Sequence, residues 1–479
     1  MKKSSPLGNF LYKAVERAGA QIVSLIVTIE LARIIGTDEC GAVELILVLV
    51  SLCQVFVQVG LNSALVQKKD VQDMDFSAVF YANLFVGILL YSVLFFTAPL
   101  VESFYNIESL GTYLRICGLI IIPSSYNSIQ NAYMAKNYMF NKQMICCLLA
   151  SIFSGIVGIT LAVLGFGIWS YVLYQITSAI TTPLFCKIVV PWHPGRIDTI
   201  KRVFPLYRYG IKILGANLME TLYNDISSLV IGKKFTSSDL AYYGKGKQFP
   251  QAISNIFNGS LTTVSFPYFS EAQDDFERTK NMTRITVRVA SFVIFPILLG
   301  LAAVSRPLVI TLLKEKWLDS IPYLRMMCIV YISIPIYTIN SQAINAIGRS
   351  DIHLKVEILK KVINIGALVI SIVCFDSVNA IIISQIVTMP IVLMISFYPL
   401  RKIFQYRFRE MLADIFPPLI ISIIMYIAIC MFDHLNISSL IILVMEVIIG
   451  VLIYVICNVV TKNKNYLIAK EYLKKLLAR

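Results

Sequence analysis

The sequence predicts an all-α integral membrane protein with about fourteen transmembrane helices. Of its 479 residues, 57% are hydrophobic and 15% are charged, whereas soluble chains average roughly 45–50% apolar and about 25% charged residues. The mean hydropathy is +0.74, and apolar runs of about 20 residues, the length that spans a bilayer, recur along the whole chain. This composition excludes an ordinary soluble enzyme, a disordered protein and, despite the net charge of +14, a nucleic-acid-binding protein.

Fourteen apolar segments are expected to cross the membrane as helices, because hydrocarbon leaves an unpaired backbone unsatisfied. The first, seventh and eighth segments are the most polar. Lys13, Glu16 and Arg17 interrupt the apolar stretch of the first segment, which argues against a cleaved signal peptide. The segments centre near residues 22, 52, 88, 124, 154, 178, 218, 252, 296, 332, 366, 390, 421 and 450.

The distribution of basic residues predicts that both termini are cytoplasmic. With the N-terminus inside, thirty-one of the 42 Lys and Arg residues fall on the inner side and six fall on outer loops. Cytoplasmic loops of membrane proteins carry such an excess, and an even number of helices fits it. The positive charge therefore indicates topology and attraction to anionic lipid headgroups.

Two short passages recur in the second half of the chain and predict an internal duplication. Tyr113-Leu114-Arg115 recurs as Tyr323-Leu324-Arg325, and Pro99-Leu100-Val101 recurs as Pro307-Leu308-Val309. The repeated unit holds six helices, an even number, so both copies face the same way across the membrane. Transporters built from such parallel repeats place the substrate site between the two lobes. The predicted divisions are a six-helix lobe at 1–192, a second six-helix lobe at 193–403, and two further helices with a basic cytoplasmic tail at 404–479.

Polar side chains form stripes on the first, second, seventh and eighth helices. At 100° per residue, the five polar side chains of the first helix between residues 13 and 28 fall within an arc of about 80°. Hydrogen bonding between helices, at ~0.6 kcal/mol per bond, is one explanation. A Lys or Arg at a helix centre costs ~2.5–3.5 kcal/mol, which favours a water-filled cavity. The candidate substrate-binding residues are Lys13, Glu16, Arg17, Gln21, Lys212, Asn217, Glu220, Asn224, Asp225, Lys245, Lys247, Gln251 and Asn255.

The chemistry of these candidates points to an anionic, hydroxylated amphiphile. Cationic side chains suit a diphosphate, and amides suit sugar hydroxyls. We expect no catalytic residue, metal site or cofactor, because nucleotide-binding and hydrolase motifs do not occur in the sequence and its three histidines lack ligand spacing. Lys245 and Lys247 lie in the outer part of the eighth helix, where contact with the outer headgroups is an alternative to substrate binding. For Arg115 and Arg325, near outer helix ends, packing or headgroup contact is favoured over a functional role.

Several motifs resemble those of the polysaccharide-exporter branch of the multidrug/oligosaccharidyl-lipid/polysaccharide superfamily, which contains O-antigen and capsule flippases. The resemblance implies two six-helix lobes, often two further helices, and a V-shaped cavity that opens alternately inward and outward. The resemblance also implies that four charged residues line this cavity: Glu16, Arg17, Glu220 and Lys245. The motifs are Ala32–Gly36, Gly60–Leu61 with Ala64–Asp70, Gly165–Trp169, Asn224–Asp225 with Ile231–Lys233, and Phe266–Pro267.

The implied substrate is undecaprenyl-diphosphate-linked oligosaccharide, moved from the cytoplasmic to the outer leaflet for surface polysaccharide such as lipopolysaccharide or capsule. The implied location is the bacterial cytoplasmic (inner) membrane. Besides membrane lipids, the resemblance leaves open a coupling ion, proton or sodium, and a polysaccharide polymerase as partner. Nucleic acid is not an expected partner.

Two other functions stay open at the level of sequence. A cation-coupled exporter of cationic drugs could have the same fold, but it would prefer an acidic, aromatic cavity, and the candidate residues here are net basic. A membrane glycosyltransferase or ligase acting on the same lipid would need a large outer loop or a cluster of catalytic carboxylates. The longest predicted outer loop has about a dozen residues.

Overall fold

A computed structural model describes most of the chain as α-helix. The described residues are 6–58, 60–68, 71–190, 192–195, 203–272, 274–432 and 438–461. The chain divides into two compact units, Met1–Gly244 and Lys245–Arg479. The predicted three-part division at residues 192 and 403 stays a prediction.

The first unit holds nine helices and the start of a tenth within its described residues. The first helix is long and polar on one face, and the fourth span is broken after Gly118, where α5 ends. The helices are α1 Pro6–Ile34, α2 Thr37–Gln58, α3 Leu61–Gln67, α4 Asp73–Tyr105, α5 Leu110–Gly118, α6 Ile121–Lys136, α7 Phe140–Val163, α8 Ile168–Val189, α9 Val203–Lys234 and the beginning of α10, Ser237–Ser270.

The second unit continues α10 and adds eight α-helices and one 3₁₀ helix in the described part of the chain. Its broken span resembles that of the first unit, because α13 and α14 are separated by a short turn. The elements are α11 Phe276–Ala303, α12 Ser305–Leu313, the 3₁₀ helix Glu315–Ser320, α13 Ile321–Tyr331, α14 Ile334–Ala346, α15 Ser350–Cys374, α16 Val378–Phe404, α17 Phe408–Cys430 and α18 Ser439–Val460.

The all-helical membrane fold predicted from the sequence is confirmed. Thirteen of the fourteen predicted centres fall within α-helices, and residue 332 lies in the turn between α13 and α14. Within the described ranges, nine helical segments are long and apolar enough to span a membrane. The polar helices α1, α9 and α10 are not among them. A count of fourteen spans is compatible with these helices but stays a prediction.

The second helix of each predicted copy begins with the same local arrangement. The Gly36 N–H donates to the carboxylate of Glu39, at 3.1 Å, in the first turn of α2. The Thr236 N–H donates to the carboxylate of Asp239, at 3.2 Å, in the first turn of α10. An acidic side chain there satisfies an otherwise unpaired donor and complements the helix dipole. Together with the broken fourth helices, this capping supports the duplication.

The segment between α2 and α4 is anchored by charges at the end of the first unit that is predicted to be cytoplasmic. Lys68, at the end of α3, donates to the buried carboxylate of Asp75 at 2.6 Å. Asp75 also accepts from the N–H of Gln72 at 3.0 Å, which caps α4. Lys136, at the end of α6, donates to the carbonyl of Val66 at 3.1 Å. These contacts fix the short helix α3 against α4 and α6.

Candidate functional site

The described side chains on the polar face of α1 are buried or half-buried. Thr28 is buried, and its hydroxyl donates to the carbonyl of Ser24 at 2.8 Å, so its own helix satisfies it. Glu16 and Gln21 are half-buried. The side chains of Lys13 and Arg17 lie outside the part of the chain that the structure describes.

The predicted residues of α9 are mostly accessible. Asn217 donates to the carbonyl of Ile213 in its own helix at 2.9 Å. Asp225 is half-buried and accepts from the hydroxyl of Ser51 on α2, at 3.4 Å. The polar faces predicted for α2 and α9 therefore meet at this position. The exposed members on α9 are Lys212, Asn217, Glu220 and Asn224.

The predicted residues of α10 combine cations with amides. The Lys245 ammonium donates to the side-chain oxygen of Gln248 at 3.2 Å and lies 5.9 Å from the centre of the Trp317 ring. Lys247 is 7% exposed and therefore buried. Gln251 is half-buried and Asn255 is exposed. These side chains place two cations within about one turn of α10, together with donors and acceptors suited to a hydroxylated anion.

A network of hydrogen-bonded polar side chains inside the first unit was not predicted from the sequence. The Asn83 amide donates to the side-chain oxygen of Asn62 and to the hydroxyl of Ser128, both at 3.3 Å. Gln54 on α2 donates to the hydroxyl of Ser124 on α6, at 3.4 Å. The signal available in the sequence was the run of Ser, Asn and Gln residues from 124 to 131 within a predicted span.

An ionic cluster joins α11 to α17 in the second unit and was also missed. Asp414 is fully buried and accepts from Arg284 at 2.8 and 3.1 Å and from the Tyr406 hydroxyl at 2.8 Å. Arg288 is a further partner of Asp414. Glu410 pairs with Arg284 at 3.0 Å. The i,i+4 spacing of the two arginines and of the two acids places each pair on one helix face, which is a readable signal.

The two arginines shared by the repeated motif have neighbours within the protein. Arg115 donates to the carbonyl of Phe95 at 3.0 Å and lies over the Phe95 ring at 4.6 Å. Arg325 donates to the hydroxyl of Ser305 at 2.7 Å. These contacts favour packing over a substrate-binding role for both.

Comparison with known sequences identifies the family of the chain. The sequence profile of the polysaccharide biosynthesis protein family matches residues 30–322, more than half of the chain. The chain belongs to this family. The resemblance to polysaccharide exporters inferred from its motifs is thereby confirmed.

Individual relatives of this family member are named for the biosynthesis of different polysaccharides. It is 24% identical over 62% of its length to the succinoglycan biosynthesis transport protein ExoT of Rhizobium meliloti, of which it spans 60%. It is 26% identical over 71% of its length to the lipopolysaccharide biosynthesis protein WzxC of Escherichia coli, of which it spans 70%. Together with the apolar helices of its described residues, this family membership makes it a multi-pass membrane protein.

Solved structures show the fold of this family member. A structure titled lipid II flippase MurJ, inward closed conformation, matches with a TM-score of 0.77 at 17% identity, covering 94% of this chain and 98% of the other. An inward-facing multidrug resistance transporter of the MATE family matches with a TM-score of 0.61 at 16% identity, covering 83% of this chain and 96% of the other. Both belong to the fold that the sequence predicted.

Proposed function

We propose that this protein is a flippase that moves undecaprenyl-diphosphate-linked oligosaccharide from the cytoplasmic to the outer leaflet. The match to the polysaccharide biosynthesis family carries the proposal. The names of its relatives, which include a transport protein for succinoglycan biosynthesis, support transport of a saccharide precursor. Turnover proceeds by alternating access, with cationic side chains of α1, α9 and α10 binding the diphosphate.

The arrangement of charges in the described residues supports an anionic headgroup. Lys212 on α9 is exposed, and Lys245 and Lys247 on α10 lie among amides. A cation in a membrane helix is costly unless it serves a cavity or pathway. A drug exporter for cations would not benefit from these side chains, because like charges repel.

The test is removal of individual cations. A charge-assisted contact contributes ~1.5–3 kcal/mol, so Arg17→Ala and Lys245→Ala should each weaken binding of the diphosphate lipid by about 10- to 150-fold. Surface polysaccharide should fall while the amount of folded protein stays normal. Arg17→Lys should retain part of the activity, because the charge remains while the bidentate geometry is lost.

The matched control is Lys402→Ala, which removes an exposed cation at the end of α16, outside the polar faces. It should export polysaccharide at the wild-type rate. Wild-type export by Arg17→Ala and Lys245→Ala, alone and combined, would show that the polar faces serve only helix packing. Resistance to cationic drugs in place of polysaccharide export would favour the multidrug exporter.

The proposal includes the location and the energy source. The protein lies in the bacterial cytoplasmic membrane with both termini inside, turnover is coupled to a proton or sodium gradient, and the exported unit passes to a polysaccharide polymerase. In vesicles, an ionophore that dissipates the coupling gradient, proton or sodium, should stop transport. An ionophore that dissipates the other gradient should leave transport unchanged. Transport that continues without either gradient would contradict the coupling.

A further inference from the structure

A polar pocket lies inside the first unit, among α2, α3, α6 and α7. Its volume is about 470 Å³, within the range of ~300–1,000 Å³ typical of small-molecule sites. It lies near Lys68 and Lys136, at the end of the helices that the distribution of basic residues predicts to be cytoplasmic. Its polar lining consists of Gln58, Asn62, Asn127, Ser128, Asn131 and Gln143.

Two side-chain oxygens of this pocket are buried and accept no hydrogen bond in the structure. They are Oδ1 of Asn127 and Oε1 of Gln143. Gln143 is 6% exposed, and its amide nitrogen donates to the side-chain oxygen of Asn131 at 2.9 Å, which fixes the orientation of both groups. Buried hydrogen-bond acceptors normally have a donor. We therefore expect a ligand to donate hydrogen bonds to these two oxygens.

The lack of charge in the pocket lining indicates which class of ligand the pocket can bind. The described lining residues are uncharged, and the nearby cations have other partners, since Lys136 donates to the carbonyl of Val66 and Lys68 pairs with Asp75. A diphosphate would lack a counter-charge here, and a metal ion would lack the carboxylates that hard cations prefer. An apolar lipid chain would leave the buried oxygens of Asn127 and Gln143 without a donor. A neutral ligand rich in hydroxyl groups matches all of these features.

We propose that this pocket binds a neutral saccharide unit of the lipid-linked substrate at its cytoplasmic end. The inference rests on the proposed function, because it assumes a lipid-linked oligosaccharide. Sugar hydroxyls donate to the free oxygens of Asn127 and Gln143 and accept from neighbouring amides. The pocket thus distinguishes a glycosylated lipid from the bare diphosphate lipid, while the cations elsewhere bind the diphosphate common to both.

The test compares two lipids bound to the purified full-length protein in nanodiscs. One is the lipid-linked oligosaccharide extracted from a strain that lacks this protein, in which the substrate accumulates, and the other is undecaprenyl diphosphate. Wild-type protein should bind the glycosylated lipid more tightly. Asn127→Leu should weaken that binding by about 2- to 10-fold, the effect of one lost hydrogen bond, and leave binding of undecaprenyl diphosphate unchanged.

A second variant reduces the volume of the pocket and leaves all of its polar side chains in place. Ala135 also lines the pocket, and Ala135→Leu should reduce the preference for the glycosylated lipid at least as strongly by filling the space. Asn137→Leu is the matched control, because it makes the same change as Asn127→Leu at an exposed position of the same region of chain. It should keep the wild-type preference.

The outcomes separate this inference from the proposed function. Equal wild-type affinity for the two lipids, or an unchanged preference in both Asn127→Leu and Ala135→Leu, would overturn the saccharide pocket. Binding of undecaprenyl diphosphate that still depends on Lys245 would then leave the proposed function standing. Wild-type protein that binds neither lipid would overturn both.

Discussion

Among the described residues, the buried carboxylate of Asp414 and its partners form a tightly paired group that differs from an exposed candidate cation such as Lys212. Asp414 is 0% exposed and is held by Arg284, Arg288 and Tyr406, whereas Lys212 is exposed. Burial of a charge is tolerated when its partners satisfy it. The cluster at Asp414 therefore holds α17, the first of the two helices outside the predicted repeat, against α11.

Asp414→Asn should destabilise the protein by about 3–5 kcal/mol, because it leaves two guanidinium groups facing each other without a buried anion. Thermal unfolding in detergent should show the loss as a lower transition temperature. Asp351→Asn is the control, since its pair with Arg349 is more than half exposed and such pairs contribute about 0–1 kcal/mol. Equal transition temperatures for the two variants would refute the anchoring role.

Close contact between elements is most evident where α2 meets the start of α10. Ser237 donates to the carbonyl of Asp38 at 2.7 Å, and Ser238 donates to the Asp38 carboxylate at 2.6 Å. The approach requires glycine at position 41, because a Cβ there would lie 1.9 Å from the carbonyl oxygen of Ser237. The absence of a side chain at Gly41 thus lets the two helices share these hydrogen bonds.

Gly41→Ala should lower the stability of the first unit by roughly 1–3 kcal/mol, the usual cost of overpacking. Limited proteolysis of the chain and its melting temperature in detergent would measure the effect. Gly366→Ala is the matched control, because its added methyl would meet nothing within 4 Å and alanine is the better helix former. A Gly41→Ala protein as stable as wild type would show that α2 and α10 can move apart at this contact without a loss of stability.

At the scale of the whole molecule, the prediction concerns orientation. In a variant whose native cysteines are replaced by alanine, Arg401→Cys should react with a membrane-impermeant maleimide only after the cells are opened. Glu108→Cys, also exposed, should react in intact cells. The physical reason is the excess of Lys and Arg on the inner side, which resists translocation. Labelling of Arg401→Cys in intact cells would reverse the predicted topology.

Helix positions were readable from sequence because hydrocarbon accepts only backbone that is hydrogen-bonded within its own segment. An apolar run of sufficient length therefore has one structural outcome, and thirteen predicted centres fall within helices. The breaks after Gly118 and after Tyr331 were not anticipated. Each break in a helix involves only a few residues, and most of these residues are themselves apolar. The hydropathy pattern therefore does not reveal where the helix is interrupted.

The sequence by itself determined the membrane fold, the family motifs and the faces that carry polar side chains, because a period of 3.6 residues places each side chain on a face. Only the tertiary structure decided which partner each polar group meets. Thr28 turns to its own backbone, Ser51 reaches Asp225 from another helix, and Asn127 opens into a pocket. Periodicity assigns a direction to a side chain, whereas its partner depends on the packing of helices that are distant in sequence.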